Sequence, residues 1–416
     1  MLDTLPLSRK QLRSIAQANA RICIWHGAVR SGKTIASLLA WLLAVADAPP
    51  SGLIIVVGRS LQTIERNVFE PLSDPALFGP VARQIRHTRG ATTGVVLGRT
   101  VHLIGAADAR AEGRLRGLTA SLAYVDELTL LPEAFFVQLL ARLSVPGARV
   151  LATTNPDSPR HWAKVGYLDR AHELNLKAWH FRLDDNPSLS PDYVAALAAE
   201  YVGLWHKRMI LGAWVVAEGA VYDMWDEQQH VVDELPDMRR YWLGIDYGTT
   251  NATSAVLLGL GTDDRLYAAA EWRWDSRAMH RQLTDAQYST RIRAWLDEQA
   301  IEPEWTFVDP SAASFTAQLW ADGHPGIARA NNDVLDGIRS TATALDSGLL
   351  RVHHSCTGLL DELPGYAWDP AASEKGEDRP IKRDDHSVDA LRYAVHSVAH
   401  EWRPLLTPPT ADSPRG

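Results

Sequence analysis

The stretch from residue 21 to residue 46, RICIWHGAVRSGKTIASLLAWLLAVA, decides the fold of the first half of the chain. An apolar run at 22–25 precedes GAVRSGKT at 27–34, which matches the pattern G-x-x-x-x-G-K-T, and a long apolar segment follows it. This order predicts a buried strand, a glycine-rich loop and a helix, an arrangement in which backbone N–H groups surround phosphates. We therefore predict a nucleoside triphosphate site at this loop.

The side chains of this loop have separate expected roles. Lys33 is expected to reach the β- and γ-phosphates, and the Thr34 hydroxyl is expected to bind Mg²⁺. Arg30 is a candidate to stabilise charge on the γ-phosphate, and Gln11 is a candidate contact to adenine, with an ordinary solvated side chain as the alternative for each. The predicted nucleotide-binding residues are Gly27, Arg30, Ser31, Gly32, Lys33, Thr34, Asp126 and Gln11.

Four more apolar runs follow in the first half, at residues 52–58, 100–106, 121–127 and 148–155. Because they are apolar almost throughout, they are typical of parallel strands that helices cover on both faces, so we predict a doubly wound α/β sheet. Asp126 and Glu127 end the third of these runs, as a Walker B element requires. Asp126 would hold Mg²⁺ and Glu127 would polarise the attacking water.

Two further groups of residues are candidates for coupling. Thr153, Thr154 and Asn155 end the strand after the predicted Walker B strand and could sense the γ-phosphate, although an ordinary strand exit is the alternative. Arg114 and Arg116 precede the Walker B strand and could reach the nucleotide of a neighbouring subunit in a ring. Solvated arginines are the alternative for both.

The second half carries three acids on separate predicted elements. Asp246 ends the strand in LGIDYG, Asp309 ends the strand in TFVDPS, and Asp389 lies near the start of a helix in HSVDALRY. Carboxylates that converge repel one another unless a cation lies between them, so we predict a site for two Mg²⁺ or Mn²⁺ ions that cleaves phosphodiesters. His386 shares the helix face of Asp389 and could assist. Asp385 and Glu271 are weaker candidates, and strand ends and helix caps are the alternative reading of every acid.

The composition is that of a globular protein, with 416 residues, 46% hydrophobic and 22% charged residues, and a formal net charge of −8. The negative charge disfavours static, non-specific DNA binding but not transient contacts to phosphates. No apolar run is long enough to span a membrane, the N-terminus lacks the pattern of a secretory signal, and two distant cysteines fit a reducing cytosol. The expected domains are an ATPase domain at 1–180, a helical lid at 181–215, a linker at 216–240, a nuclease domain at 241–400 and a flexible tail at 401–416.

In combination, the motifs GAVRSGKT, YVDE, TTNP, IDYG, VDPS and HSVDALRY closely resemble the large terminase subunit of tailed bacteriophages, over roughly residues 8–398. The resemblance implies an ASCE-type P-loop ATPase domain followed by an RNase H/integrase-like nuclease domain. It also implies a ring on the portal of a procapsid in the bacterial host cytoplasm, where ATP hydrolysis drives double-stranded DNA inward. A small terminase subunit would select the DNA, and the nuclease would cut the concatemer.

Two other readings compete with this one. A helicase- or recombinase-like enzyme that processes DNA outside packaging would share the ATPase motifs, but no second helicase-type motor domain is evident after residue 215. A structural packaging adaptor with decayed sites would not need Lys33, Glu127 and the three acids, all of which are intact.

Overall fold

The computed structural model describes residues 6–107, 109–248 and 251–406, apart from the side chains of 109 and 110. The chain divides into two compact units. The first contains Met1–Val194, Leu204–Val216 and Glu374–Glu377, and the second contains Ala195–Gly203, Ala217–Ser373 and Asp378–Gly416. None of the described helices is both long and apolar enough to cross a membrane.

The first unit is built on one eight-stranded sheet with the order β3-β4-β5-β2-β6-β7-β1-β8. Its strands are β1 (Ile22–Gly27), β2 (Leu53–Gly58), β3 (Ile85–His87), β4 (Thr93–Val96), β5 (Arg99–Gly105), β6 (Ala120–Val125), β7 (Arg149–Thr154) and β8 (Leu176–Phe181). The pairs from β5 to β8 are parallel, and β3 and β4 form an antiparallel edge.

Both faces of this sheet are covered by apolar side chains, as the continuous apolar runs predict. On β1, Cys23 and Trp25 belong to the hydrophobic cluster of one face, while Ile22 and Ile24 belong to the cluster of the other. The five predicted strands coincide with β1, β2, β5, β6 and β7. Strand β8 was not predicted, because Lys177 and His180 interrupt its apolar pattern at the edge of the sheet.

The helices of the first unit are mostly short. They are α1 (Arg9–Ala16), α2 (Lys33–Ala46), α3 (Leu61–Ile64), α4 (Glu70–Leu72), α5 (Pro75–Phe78) and α6 (Glu133–Arg142). A π-helical turn, Glu65–Phe69, joins α3 to α4. Helix α7 (Pro191–Glu200) and helix α8 (Gly203–Trp205) follow in the region predicted as a lid, and each includes residues assigned to both units.

The second unit has a seven-stranded mixed sheet with the order β14-β13-β10-β11-β12-β15-β9. Its strands are β9 (Val231–Val232), β10 (Met238–Asp246), β11 (Ala252–Gly261), β12 (Leu266–Asp275), β13 (Trp305–Val308), β14 (Ile327–Arg329) and β15 (Leu350–His353). Strands β10, β11 and β12 are antiparallel, and the other pairs are parallel. Strand β11 was not among the predicted strands, although all ten of its residues are buried.

Eight helices accompany this sheet in the described part of the chain. They are α9 (Glu227–His230), α10 (Asp285–Gln299), α11 (Ala313–Ala321), α12 (Val334–Asp346), α13 (Thr357–Glu362), α14 (Pro370–Glu374), α15 (His386–Ser397) and α16 (Ala399–Trp402). Helix α15 packs so closely on β10 that a Cβ at Gly244 would lie 2.0 Å from the carbonyl oxygen of Ala390. The glycine therefore sets the depth at which α15 lies on the sheet.

Two of the predicted domain boundaries, at residues 240 and 401, fall within an observed strand or helix. The stretch 216–240, predicted as a linker, contains α9, β9 and the first residues of β10. The stretch predicted as a flexible tail from residue 401 begins within α16, where Trp402 is fully buried and its Nε1 donates to Val395 O at 2.8 Å. Residues 407–416 of that tail lie outside the described residues.

Candidate functional site

The phosphate loop of the first unit connects β1 to α2. Gly27 has φ +135° and Gly32 has φ +79°, conformations that L side chains rarely adopt. A Cβ at Gly27 would also lie 1.9 Å from the carbonyl oxygen of Phe181 on β8. Both glycines are therefore required by the backbone path. The loop borders a cavity of about 580 Å³, lined among others by Arg30, Ser31, Gly32, Lys33, Thr34, Arg66, Asn67, Asp126, Glu127, Thr153, Thr154, Asn155 and Asn186.

Lys33 is the buried lysine of this cavity. Its Nζ donates to Ala28 O at 3.0 Å and to Asn155 Oδ1 at 2.7 Å. The predicted coupling residue Asn155 therefore contacts the phosphate-binding lysine directly. Thr34 also lines the cavity, one residue into α2.

The predicted Walker B acids line the same cavity, directly after β6. Asp126 is 4% exposed, and its two oxygens accept hydrogen bonds from Asn67 Nδ2 at 2.8 Å and Thr153 Oγ1 at 3.2 Å. Burial raises the pKa of Asp126, although those two hydrogen bonds and Lys33 act in the other direction. Burial and the charge of Asp126 raise the pKa of Glu127. A cation between these acids would relieve both effects, which fits a Mg²⁺–nucleotide complex.

Thr153 and Thr154 connect the end of β7 to the segment after β6. Thr153 Oγ1 accepts from Glu127 N at 3.4 Å, and the hydroxyls of Thr154 and Thr129 lie 2.8 Å apart. The three residues at the end of β7 thus contact both the Walker B segment and Lys33, so a change at the phosphates can reach this strand end through hydrogen bonds.

The remaining predicted residues differ from one another in their position relative to this cavity. Arg30 is exposed and lines the cavity. Gln11 is buried with its amide already bonded, since its Oε1 accepts from Ser8 N at 2.7 Å and its Nε2 donates to Gly32 O at 3.1 Å. Gln11 therefore stabilises the phosphate loop through its hydrogen bond to Gly32 O. Arg114 and Arg116 are exposed and are not among the residues that line the cavity, and Arg114 Nη1 donates to Gly105 O at 2.6 Å.

Three polar residues that line this cavity were not predicted from the sequence. Arg66 and Asn67 come from the π-helical turn after α3, and Asn186 Nδ2 donates to Arg30 O at 2.7 Å. π-Helical turns occur often at functional sites, but the sequence around residue 65 carries no motif that announces one. Their role follows only from the three-dimensional arrangement.

In the second unit, two of the predicted acids lie at the same edge of the sheet. Asp246 ends β10 and Asp309 directly follows β13, and these neighbouring strands pair in parallel with Ile245 opposite Val308. Asp309 Oδ2 accepts from Tyr393 OH at 2.7 Å and its Oδ1 accepts from Ser311 N at 2.7 Å. These bonds lower the pKa of Asp309, although burial acts in the other direction.

Helix α15 brings the third acid and the histidine to this edge. His386 Nδ1 lies 2.8 Å from Asp246 Oδ2, and this hydrogen bond raises the pKa of His386. Burial raises the pKa of Asp246, and the charges of Asp389 and Asp309 raise it further. Asp389 is buried between two cations, accepting from Lys382 Nζ at 2.7 Å and Arg392 Nη2 at 2.9 Å.

As these side chains stand, no group of three His, Cys, Asp or Glu residues in the described part of the chain is arranged to hold a metal ion. Each predicted ligand instead has a protein partner. The donor set, carboxylates with one imidazole, has the chemistry that Mg²⁺ and Mn²⁺ accept. The charges of Asp389 and Asp309 raise the pKa of Asp246, and Lys382 Nζ bonds to Asp389 Oδ2, so a divalent cation at Asp389 would have to replace Lys382. Glu271 belongs to a different set of contacts, with its oxygens bonded to Ser387 and Leu359.

Comparisons with known proteins identify the family. The family model described as terminase large subunit, T4likevirus-type, N-terminal, matches residues 24–229. A crystal structure of the large terminase from a thermophilic bacteriophage is 35% identical, with a TM-score of 0.84, over 95% of this chain and 99% of that chain. The chain belongs to the large terminase family. The same thermophilic phage terminase in complex with ADP matches with a TM-score of 0.84, and in complex with ATP-γ-S with a TM-score of 0.81, both at 35% identity. No curated protein sequence matches the chain.

This membership confirms several predictions made from the sequence. The chain is a large terminase of mixed α/β fold, an enzyme of viral DNA packaging with ATPase and nuclease activities. The helicase- or recombinase-like alternative is not favoured, because the match extends over almost the whole of both chains.

Proposed function

We propose that the first unit of this terminase hydrolyses ATP in the cavity at the phosphate loop. The observation that carries this proposal is the convergence of Lys33, Asp126, Glu127 and Asn155 on one cavity. Lys33 binds the β- and γ-phosphates, Thr34 and Asp126 hold Mg²⁺, and Glu127 orients the attacking water. The thermophilic phage relative has been crystallised with ADP and with ATP-γ-S, which supports a nucleotide in this cavity.

We assign coupling to the end of β7 and charge stabilisation to Arg30. A γ-phosphate competes with Asn155 for Lys33, because both are hydrogen-bond acceptors for the same ammonium group. Arg30 lines the cavity with an exposed side chain, which can turn toward a triphosphate as charge develops in the transition state. Arg114 and Arg116 are exposed outside the cavity lining, which supports a role toward the nucleotide of a neighbouring subunit.

We propose that the second unit cleaves DNA at the edge formed by Asp246, Asp309 and Asp389. Two divalent ions bound there would activate water and stabilise the leaving oxygen. The protein's own part is to hold the carboxylates. Tyr393 and Ser311 orient Asp309, Arg392 orients Asp389, and His386 shares a proton with Asp246.

The proposal for the partners and the cellular setting is supported by membership of the large terminase family. We propose that the chain forms a ring on the portal of the procapsid in the cytoplasm of a bacterial host, that a small terminase subunit selects the DNA, and that the duplex is gripped by its phosphates. Such contacts carry little sequence information, which suits a motor that moves any DNA. The domain plan, an ATPase domain, a helical lid, a linker and a nuclease domain, is proposed with the boundaries given above.

The experiment that tests packaging is a nuclease-protection assay with procapsids that carry a portal, small subunit, linear DNA and ATP. We expect wild-type chain to protect DNA and Lys33→Ala to protect none. Protection that is independent of ATP, or that persists in Lys33→Ala, would overturn the motor assignment. Leu12→Ser, an exposed residue outside the cavity, is the control variant.

A further inference from the structure

Helix α15, which carries His386 and Asp389, is capped at its N-terminus by a side chain from another helix. Aspartate is a favoured N-cap residue, because its carboxylate accepts the free N–H groups of the first turn. Asp385 occupies the N-cap position of α15, but its side chain makes no such bond. Instead, Glu362 Oε2 accepts from Ser387 N at 2.6 Å and from Val388 N at 3.1 Å.

Glu362 is itself fixed in place. It is the last residue of α13 and is 5% exposed. Its other oxygen accepts from Arg273 Nη1, and the same guanidinium nitrogen donates to Ser387 Oγ at 2.7 Å. The carboxylate therefore has partners on both oxygens, and its place at the start of α15 does not depend on solvent.

A second carboxylate fixes the start of α13 in the same manner. Glu271 Oε2 on β12 accepts from Leu359 N at 3.2 Å, and Glu271 Oε1 accepts from Ser387 Oγ. A Cβ at Gly358 would lie 2.7 Å from Glu271 Oε1, so a larger residue there would displace the carboxylate. Two carboxylates thus connect the sheet to helix α15. Glu271 on β12 bonds to α13 and α15, and Glu362 at the end of α13 bonds to α15.

Because Glu362 caps α15, the carboxylate of Asp385 is not used as a cap. The side chain of Asp385 is buried, and Lys382 Nζ lies 3.1 Å from its Oδ2 as an ion pair. The same Nζ is 2.7 Å from Asp389 Oδ2. One ammonium group thus pairs with both carboxylates, and a divalent cation that displaced Lys382 would meet an oxygen of each.

We propose that Glu362 is a positioning residue of the nuclease site, which caps α15 in place of Asp385 and so leaves the Asp385 carboxylate available as a further oxygen ligand for a divalent ion beside Asp389. This inference rests on the proposed nuclease function. Glu362 acts through the helix and does not touch the ion.

The test is the affinity for Mn²⁺, measured by isothermal titration calorimetry on the full chain. Substitution of residues that orient metal ligands typically weakens affinity by about 10–100-fold. We expect Glu362→Ala to weaken Mn²⁺ binding by at least about tenfold. Glu362→Gln keeps an oxygen within reach of the two N–H groups and should remain within about threefold of wild type. The matched control is Asp361→Ala, which removes an exposed carboxylate one residue earlier in α13 and should leave Mn²⁺ affinity unchanged.

A double-mutant cycle separates positioning from a general loss of stability. Asp385→Asn should weaken Mn²⁺ binding by about tenfold in the wild-type background, and by less than about twofold in Glu362→Ala. The difference arises because Asp385 without Glu362 turns back to cap its own helix. Additive losses would overturn the proposal. Asp385→Asn leaves the contacts of Glu362 in place, so wild-type Mn²⁺ affinity in that single variant overturns the proposal even if Glu362→Ala does not fold.

Failure of the proposed nuclease function gives a different result. In that case Asp389→Asn would bind Mn²⁺ like the wild type. If Asp389→Asn loses Mn²⁺ binding while Glu362→Ala and Asp385→Asn retain it, the nuclease site stands and this inference fails.

Discussion

The Nζ atom of Lys33 lies 2.7 Å from Oδ1 of Asn155, so the phosphate-binding lysine is hydrogen-bonded to the end of strand β7. Burial lowers the pKa of Lys33 to about 8, while the charges of Glu127 and Asp126 act in the other direction. Hydrogen-bond acceptors therefore help to keep the Lys33 side chain charged. A γ-phosphate that replaces Asn155 as an acceptor also removes a contact from the end of β7.

Asn155→Ala is expected to slow ATP turnover by about tenfold or more, because it removes the side chain through which a γ-phosphate on Lys33 acts on the end of β7. Affinity for ADP should stay within about threefold, since the loop backbone still surrounds the phosphates. Steady-state ATP hydrolysis and a nucleotide titration measure the two quantities. Asn175→Ala, an exposed asparagine of the same unit, should change neither. Equal losses of ADP affinity and turnover would contradict a role that begins with the γ-phosphate.

Asn67→Ala tests one of the cavity residues that were not predicted from the sequence. It removes the donor to Asp126 Oδ2, a hydrogen bond that lowers the raised pKa of that buried acid. We expect the Mg²⁺ concentration for half-maximal ATP hydrolysis to rise by about tenfold. The control is Gln62→Ala, an exposed side chain on α3. An unchanged Mg²⁺ dependence in Asn67→Ala would show that Asn67 does not orient Asp126.

Residues whose roles follow from phosphate and metal binding could be predicted from the sequence. Residues that the fold brings to the cavity from other elements could not. Phosphate and Mg²⁺ binding require a glycine-rich loop with a lysine, acids at the end of a neighbouring strand and a polar end on the next strand. Lys33, Asp126 and Asn155 could therefore be predicted from the sequence. Asn67 enters the cavity because of a π-helical turn. No periodicity or motif in the surrounding residues specifies such a turn.

The second site shows the same division. Asp246 and Asp309 could be predicted because each follows an apolar strand in the sequence. His386 could be predicted because helix periodicity puts it on the same face as Asp389. Glu362 could not be found in this way, because it reaches α15 from the end of another helix. The sequence also did not reveal Lys382, which occupies Asp389 in this arrangement.

Lys382→Ala is expected to strengthen Mn²⁺ binding by about threefold to tenfold, because the lysine is a like charge that a divalent ion must displace from Asp389. Arg383→Ala removes an exposed charge one residue away and should have little effect. Calorimetric titration of both variants provides the comparison. Weaker Mn²⁺ binding in Lys382→Ala would mean that the lysine does not compete with the ion.

His26 gives a prediction about pH. Burial, and repulsion by His180 and by Lys164, Lys33 and Lys10, lower the pKa of His26 to about 3, and Trp214 Nε1 donates to its Nδ1 at 3.3 Å. The fold favours the neutral ring, so its contribution to stability is complete above about pH 6.5 and declines as the pH falls from 6.5 toward 3.

We expect the thermal midpoint of His26→Asn to fall less than that of wild type between pH 7.5 and pH 5.5. The difference should correspond to about 1 kcal/mol, since the ring is partly exposed. Differential scanning calorimetry at the two pH values measures it. Identical acid sensitivity in His26→Asn and wild type would contradict the assignment, and His172→Asn, an exposed histidine, serves as control.

The most direct test of the account is to measure ATP hydrolysis and Mn²⁺-dependent plasmid cleavage side by side in wild type, Lys33→Ala and Asp246→Asn. We predict that Lys33→Ala loses ATP hydrolysis by at least about 100-fold and keeps cleavage, and that Asp246→Asn does the reverse. Retained ATP turnover in Lys33→Ala, or retained cleavage in Asp246→Asn, would contradict the assignment of two separate sites.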